Sequence, residues 1–79
     1  MIDLYTWSTP NGRKISILLE ELEVSYKVIP VDINKDEHKK DYYKKIAPSI
    51  KIPAIVDNET GVKIFESGSI LFYLAKKYR

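Results

Sequence analysis

With 79 residues the chain makes one domain, and a domain of this size buries only about 60% of its unfolded surface, so its stability is modest. It has no cysteine and one histidine, which excludes disulfides, thiol redox chemistry by the protein itself and zinc sites built from several His or Cys ligands. A net charge of +2 is too small for a nucleic-acid surface, which needs a concentrated basic patch, and no apolar run is long enough to span a membrane.

The chain opens on MIDLYTW, without the basic region and apolar stretch of a signal peptide, so a cytoplasmic location is the expectation. Ile2 to Thr6 is rich in strand formers and reads as a first strand. Ser8 to Gly12 is a break. From there Ile15, Leu18, Leu19 and Leu22 recur at helical spacing, which predicts a helix to about Glu23. Tyr26 to Ile33 reads as a second strand, and Pro30, which has no amide donor, predicts a place at a sheet edge. Asn34 to Ile46 reads as a weaker helix, with Asn34 and Glu37 as an Asx-type capping box and Pro48 just beyond its end. It takes in all of KDEHKKDYYKK, Lys35 to Lys45, whose five lysines and three acids read as a solvated helix face. Ile52 to Asp57 and Val62 to Phe65, joined by DNETG, form a predicted hairpin. Glu66 and Ser67 start a last helix with Ile70, Leu71, Leu74 and Tyr78 inward and Lys76, Lys77 and Arg79 in its final turn, where cations suit the helix dipole. The order β-α-β-α-β-β-α predicts an α/β domain. Its first two strands are parallel, its hairpin is antiparallel, and helices cover both faces of a mixed four-stranded sheet.

Three short segments stand out chemically. In the first, Thr9 before Pro10 suits an N-cap with proline at the first helical position, and Ser8 and Asn11 add polar groups. The free amides of that turn make an anion site; Arg13 and Lys14 raise the potential there, although taken alone they read as solvated cations. The second is Ile52-Pro53. A trans proline at a strand start is the simpler reading of the residues, whereas a cis bond would turn the Ile52 backbone outward to pair with a peptide-like ligand. The third is Glu66-Ser67. Ser67 suits an N-cap, and the pair also suits an amino-acid clamp, with Glu66 on the ammonium and Ser67 and the helix amides on the carboxylate. His38 reads as a surface residue unless its helix lies near a cleft, and Tyr5 and Trp7 read as packing.

In this order, TPNGRKI, KIPAIVD and ESGSILFYLA resemble the N-terminal domain of cytosolic glutathione transferases, and the resemblance covers essentially the whole chain. The subgroup indicated is that of the nu-class bacterial transferases and their fungal nitrogen-regulator relatives, which carry a similar TPNG turn. The resemblance implies a thioredoxin-like fold and glutathione as cosubstrate. It implies that Thr9 and Asn11 lie beside the glutathione sulfur as catalytic residues, and that Ile52 pairs its backbone with the cysteinyl part ahead of a cis Pro53. It also implies that Glu66 and Ser67 bind the γ-glutamyl amino and carboxylate groups, and that His38 and Lys51 lie near the glycyl end. Families with a catalytic tyrosine carry it just after the first strand; this chain has Trp7-Ser8 there, so a tyrosine mechanism is not expected.

The chain departs from that pattern in two places. The subgroup often has PNNKIP where this chain has Pro48-Ser49-Ile50-Lys51-Ile52-Pro53, so two amide side chains are missing. The family also has a larger all-helical C-terminal domain that supplies most of the electrophile site and part of the dimer interface, and this chain stops at Arg79. The reading is therefore a glutathione-binding domain, residues 1–79, that stabilises the thiolate for conjugation or disulfide exchange. Two alternatives stay open: a non-catalytic transferase-like interaction module, and an excised, engineered or ancestral domain without appreciable activity. Surface left bare by the missing domain makes a homodimer or self-association an expectation.

Overall fold

The computed structural model describes residues 1–48 and 50–78. Its elements are β1 (Ile2–Thr6), α1 (Pro10–Glu21), β2 (Tyr26–Pro30), two short 3-10 turns (Ile33–Lys35 and Glu37–Lys39), α2 (Asp41–Ile46), β3 (Ala54–Asp57), β4 (Val62–Phe65) and α3 (Ser67–Tyr78). The strands lie in the order β2-β1-β3-β4. β1 and β2 are parallel, and β3 is antiparallel to both β1 and β4. β2 is an edge strand, which accommodates Pro30.

Strand periodicity divides the core in two. Ile2 and Leu4 of β1, Ile55 of β3 and Ile64 of β4 share the face covered by Ile15 and Leu19 of α1 and Ile70 and Leu74 of α3. Leu71 and Tyr78 pack at the margin of that core, so the predicted inward stripe of the last helix is correct. Tyr5, Ala54 and Phe65 point the other way, where Val31, Tyr43, Ile46 and Ala47 cover them. Helices thus lie on both faces of a mixed sheet, the thioredoxin-like arrangement. Among the described residues no helix is long and apolar enough to cross a membrane.

Several boundaries differ from the sequence reading. α1 starts as expected, at Pro10 behind the Thr9 N-cap. It ends at Glu21, where Glu23 takes a left-handed φ of 55° and the Val24 and Glu23 amides donate to the Leu19 and Glu20 carbonyls. β2 stops at Pro30, and Val31 turns into the core while its amide still donates to the Thr6 carbonyl. The single helix predicted over Asn34 to Ile46 is instead two 3-10 turns followed by α2. Asp36 at φ 56° and an extended Lys40 interrupt it. The Asn34–Glu37 capping box does not form. Asp32 caps instead: its carboxylate accepts from the Asn34 amide, and Glu37 reaches back to accept from the Asp32 amide at 2.7 Å. β3 starts two residues later than predicted, at Ala54. Ser49 of the PSIKIP segment, and Arg79, assigned to the last helical turn, lie outside the described residues.

The β3–β4 hairpin is tied to α3 by Asp57, whose side chain is fully buried. Its carboxylate accepts from Lys77 Nζ and the Tyr73 hydroxyl, both at 2.5 Å, and from the Glu59 amide at 3.0 Å. Burial alone would raise its pKa; the hydrogen bonds from Lys77, Tyr73 and Glu59 overcome that and hold it at about 2.

Candidate functional site

The sheet register brings the three chemical segments to one end of the molecule. Tyr5, Ala54 and Phe65 form one row across β1, β3 and β4. Past that row β1 runs out into Trp7, Ser8 and Thr9, β3 is entered from Ile52-Pro53, and β4 leaves into Glu66-Ser67. Residues more than fifty positions apart in sequence therefore border one edge.

Thr9 is the α1 N-cap, with extended backbone, and its hydroxyl oxygen accepts from the Gly12 amide at 3.1 Å. Accepting that bond leaves the hydroxyl proton free to donate outward. Pro10 has no amide and the Arg13 amide donates to the Thr9 carbonyl, so among the described residues the Asn11 amide remains the unpaired donor of this turn. The Asn11 side chain is exposed and has no protein partner among the described residues. Gly12, which the sequence reading treated only as part of a break, is buried against the end of β1. A Cβ there would overlap the Thr6 hydroxyl and approach the Trp7 carbonyl to 2.9 Å. Arg13 and Lys14 are exposed. Arg13 lines a hollow of about 330 Å³ with Trp7, Ser8, Val28 and Pro30, on the β2 flank of the turn.

The Ile52–Pro53 peptide is cis, which corrects the trans reading taken from the residues alone and agrees with the one implied by the resemblance. Among the described residues no hydrogen bond reaches the Ile52 N–H or C=O. Just before it, Ile50 has φ 55°, a left-handed conformation that is costly for a β-branched side chain. The hydroxyl of fully buried Tyr43 donates to the Lys51 carbonyl at 2.5 Å, and burial pushes its pKa well above the ordinary tyrosine value. Tyr43 was not singled out from sequence; its spacing to Ile46 and Ala47, three and four residues on, was the available signal.

Ser67 does not cap α3. It is the first helical residue, the Glu66 carbonyl accepts from the Ile70 amide at 3.0 Å, and no hydrogen bond among the described residues uses the Ser67 hydroxyl. Glu66 is exposed at φ 73° and makes no salt bridge among the described residues. A non-glycine residue in that region is strained, and such strain concentrates at ligand clamps. Glu66 thus offers a free carboxylate beside a free hydroxyl and the open amides of a helix start.

Lys51 is exposed next to Ile52. His38 lies in the second 3-10 turn, which packs on α2, and is half-buried, with its Nδ1 buried and without a hydrogen-bond partner among the described residues. The register that joins the other three segments does not extend to His38. Among the described residues no cluster of His, Asp or Glu forms a metal site. The sheet end therefore offers an amino-acid clamp, a free strand-like backbone and a hydroxyl donor above a helix start, a set suited to a short peptide with an anionic group.

Residues 1–76 match the family model described as glutathione S-transferase, N-terminal domain. The chain is 48% identical over 82 residues to the disulfide-bond oxidoreductase YfcG of Escherichia coli, covering 98% of this chain and 38% of that protein. A glutathione transferase homolog from Lodderomyces elongisporus, solved with two GSH per subunit, superposes with a TM-score of 0.93 at 44% identity, over 98% of this chain and 38% of that one. A Pseudomonas putida glutathione transferase with one glutathione disulfide per subunit gives 0.93 at 40% identity, over 98% and 35%. The chain thus spans under two fifths of the length of these relatives. With a family model matched over nearly its whole length and the sheet-end geometry described above, the chain belongs to the glutathione S-transferase N-terminal domain family.

Proposed function

We propose that this domain binds glutathione at the sheet end formed by Thr9, Asn11, Ile52, Pro53, Glu66 and Ser67, and favours its thiolate. The observation that carries the reading is the convergence of three segments whose polar groups have no protein partner among the described residues: the Thr9 hydroxyl proton and Asn11 amide, the Ile52 backbone, and the Glu66–Ser67 clamp. Glu66 holds the γ-glutamyl ammonium while Ser67 and the α3 amides hold its carboxylate. Ile52 pairs its N–H and C=O with the cysteinyl residue as an added strand would. Lys51, exposed next to Ile52, is the cation for the glycyl carboxylate; His38 is assigned to that end by the family resemblance alone, since the strand register does not bring it to the sheet end.

The sulfur then lies at the start of α1. A free thiol has a pKa of about 8.5, and each unit of depression requires about 1.4 kcal/mol of preference for the thiolate. A hydrogen bond from Thr9 or Asn11, with the positive end of α1, supplies one to two such units on the order of magnitude. The thiolate attacks an electrophilic carbon, forming S–C as the leaving group departs with the electron pair. With a disulfide it forms a new S–S bond and releases the other sulfur as thiolate. The nucleophile belongs to the cosubstrate, so the reaction is open to a protein without cysteine. The observed relatives with bound GSH and glutathione disulfide support this assignment.

Calorimetric titration with glutathione tests the reading. Saturable heat at millimolar ligand or below is the expected result, and Glu66→Ala should weaken binding at least tenfold by removing the ammonium partner. No heat at millimolar glutathione would refute it.

A further inference from the structure

We infer that Tyr43 is a positioning residue that aims the Ile52 N–H at the ligand by holding the Lys51 carbonyl. The inference rests on the glutathione-binding reading for its consequence, and on geometry for its cause. The Lys51 carbonyl and the Ile52 amide belong to one planar trans peptide unit, in which C=O and N–H point in opposite directions. Tyr43 donates to that carbonyl from the buried layer under the sheet, with its ring against Tyr5 at 6.1 Å between centroids. Fixing the carbonyl inward therefore fixes the amide outward.

A second anchor acts on the same loop. The Ile50 amide donates to the Ala47 carbonyl, and the Ala47 amide donates to the Tyr43 carbonyl, each at 2.8 Å. The end of α2 thus holds the loop at the Ile50 amide and at the Lys51 carbonyl, next to the residue held at φ 55°. A left-handed isoleucine persists only where neighbouring contacts dictate it, and without the Tyr43 hydroxyl the Lys51–Ile52 peptide plane is free to rotate.

The test is Tyr43→Phe, which keeps the ring and its burial and deletes only the hydroxyl. Two measurements read it. By NMR, the Ile52 amide should show a changed shift and the Lys51 carbonyl should lose its hydrogen-bonded shift, with or without ligand. By titration, affinity for glutathione should fall about threefold to tenfold, while affinity for γ-glutamyl methylamide stays the same. That fragment reaches the Glu66–Ser67 clamp but has no cysteinyl backbone to meet Ile52. A merely structural role would weaken both ligands together. Should Tyr43→Phe not fold, it is made in a Glu23→Gly background, which relieves the left-handed glutamate at the far end of α1. Unchanged Lys51 and Ile52 shifts, or an unchanged ratio of the two affinities, would overturn the inference. A parent protein that binds no glutathione would instead refute the functional reading, and the NMR arm still decides the role of Tyr43.

Discussion

Asp57 makes a quantitative prediction. It is fully buried, yet its carboxylate stays ionised because Lys77, Tyr73 and the Glu59 amide all donate to it. Its pKa is lowered from 3.8 to about 2. At about 1.4 kcal/mol per unit that difference corresponds to roughly 2.5 kcal/mol. The Lys77 side chain is 26% exposed, so solvent screening reduces the contribution to about 1 to 2 kcal/mol. A carboxylate with a depressed folded-state pKa contributes its stability above the unfolded value and loses it as pH falls toward the folded one. Asp57→Asn removes the charge and presents an amide donor to other donors, so it should destabilise the domain by about 2 to 4 kcal/mol at neutral pH. Urea denaturation of both proteins across pH is the assay. The stability gap between them should hold from pH 7 to about 5, narrow by about 1 to 2 kcal/mol below pH 4, and level off near pH 2. A gap that stays constant between pH 5 and 2 would refute the reasoning.

Two further substitutions probe the sheet end. Gly12→Ala should destabilise by about 1 to 3 kcal/mol and displace the start of α1, because its Cβ meets the Thr6 hydroxyl and the Trp7 backbone; denaturation with circular dichroism reads the loss, and an unchanged midpoint would contradict the close packing. Ile50→Asn should stabilise by about 1 kcal/mol, since asparagine tolerates the left-handed region that isoleucine resists; a lower melting temperature would show that Ile50 packing outweighs its backbone strain.

The outer framework was legible because its signals are local and strong. Ile15, Leu18, Leu19 and Leu22 mark one helix, and Ile70, Leu71 and Leu74 mark another. The strands between them alternate to serve both faces. The segment from Asn34 to Ile46 was misread because no glycine or proline announces its breaks. Asp36 goes left-handed and Lys40 goes extended, and the cap falls to Asp32, two residues upstream of the residue chosen. The state of the Ile52–Pro53 bond was not readable from the residues, since the two isomers differ by only about 1 kcal/mol before tertiary contacts decide. Ser67 illustrates the limit of propensity. Its type fits a cap, but Glu66 occupies the cap position, and that leaves the Ser67 hydroxyl uncommitted. The candidate ligand residues were found as three motifs. Their meeting at one edge follows only from strand pairing, and the contributions of Gly12 and Tyr43 depend on contacts with distant backbone.

β3 is only four residues long, yet its two ends have different duties. Asp57 at one end closes the hairpin onto α3, while Ala54 at the other opens onto the Ile52–Pro53 loop. At about 3.3 Å per residue these ends lie roughly 10 Å apart, the separation beyond which substitutions usually act independently. Stability can therefore be adjusted at the Asp57 end while ligand preference is altered at the other. The domain is in effect modular along a single strand, and damage incurred in reshaping the binding edge can be compensated from the opposite end of the sheet.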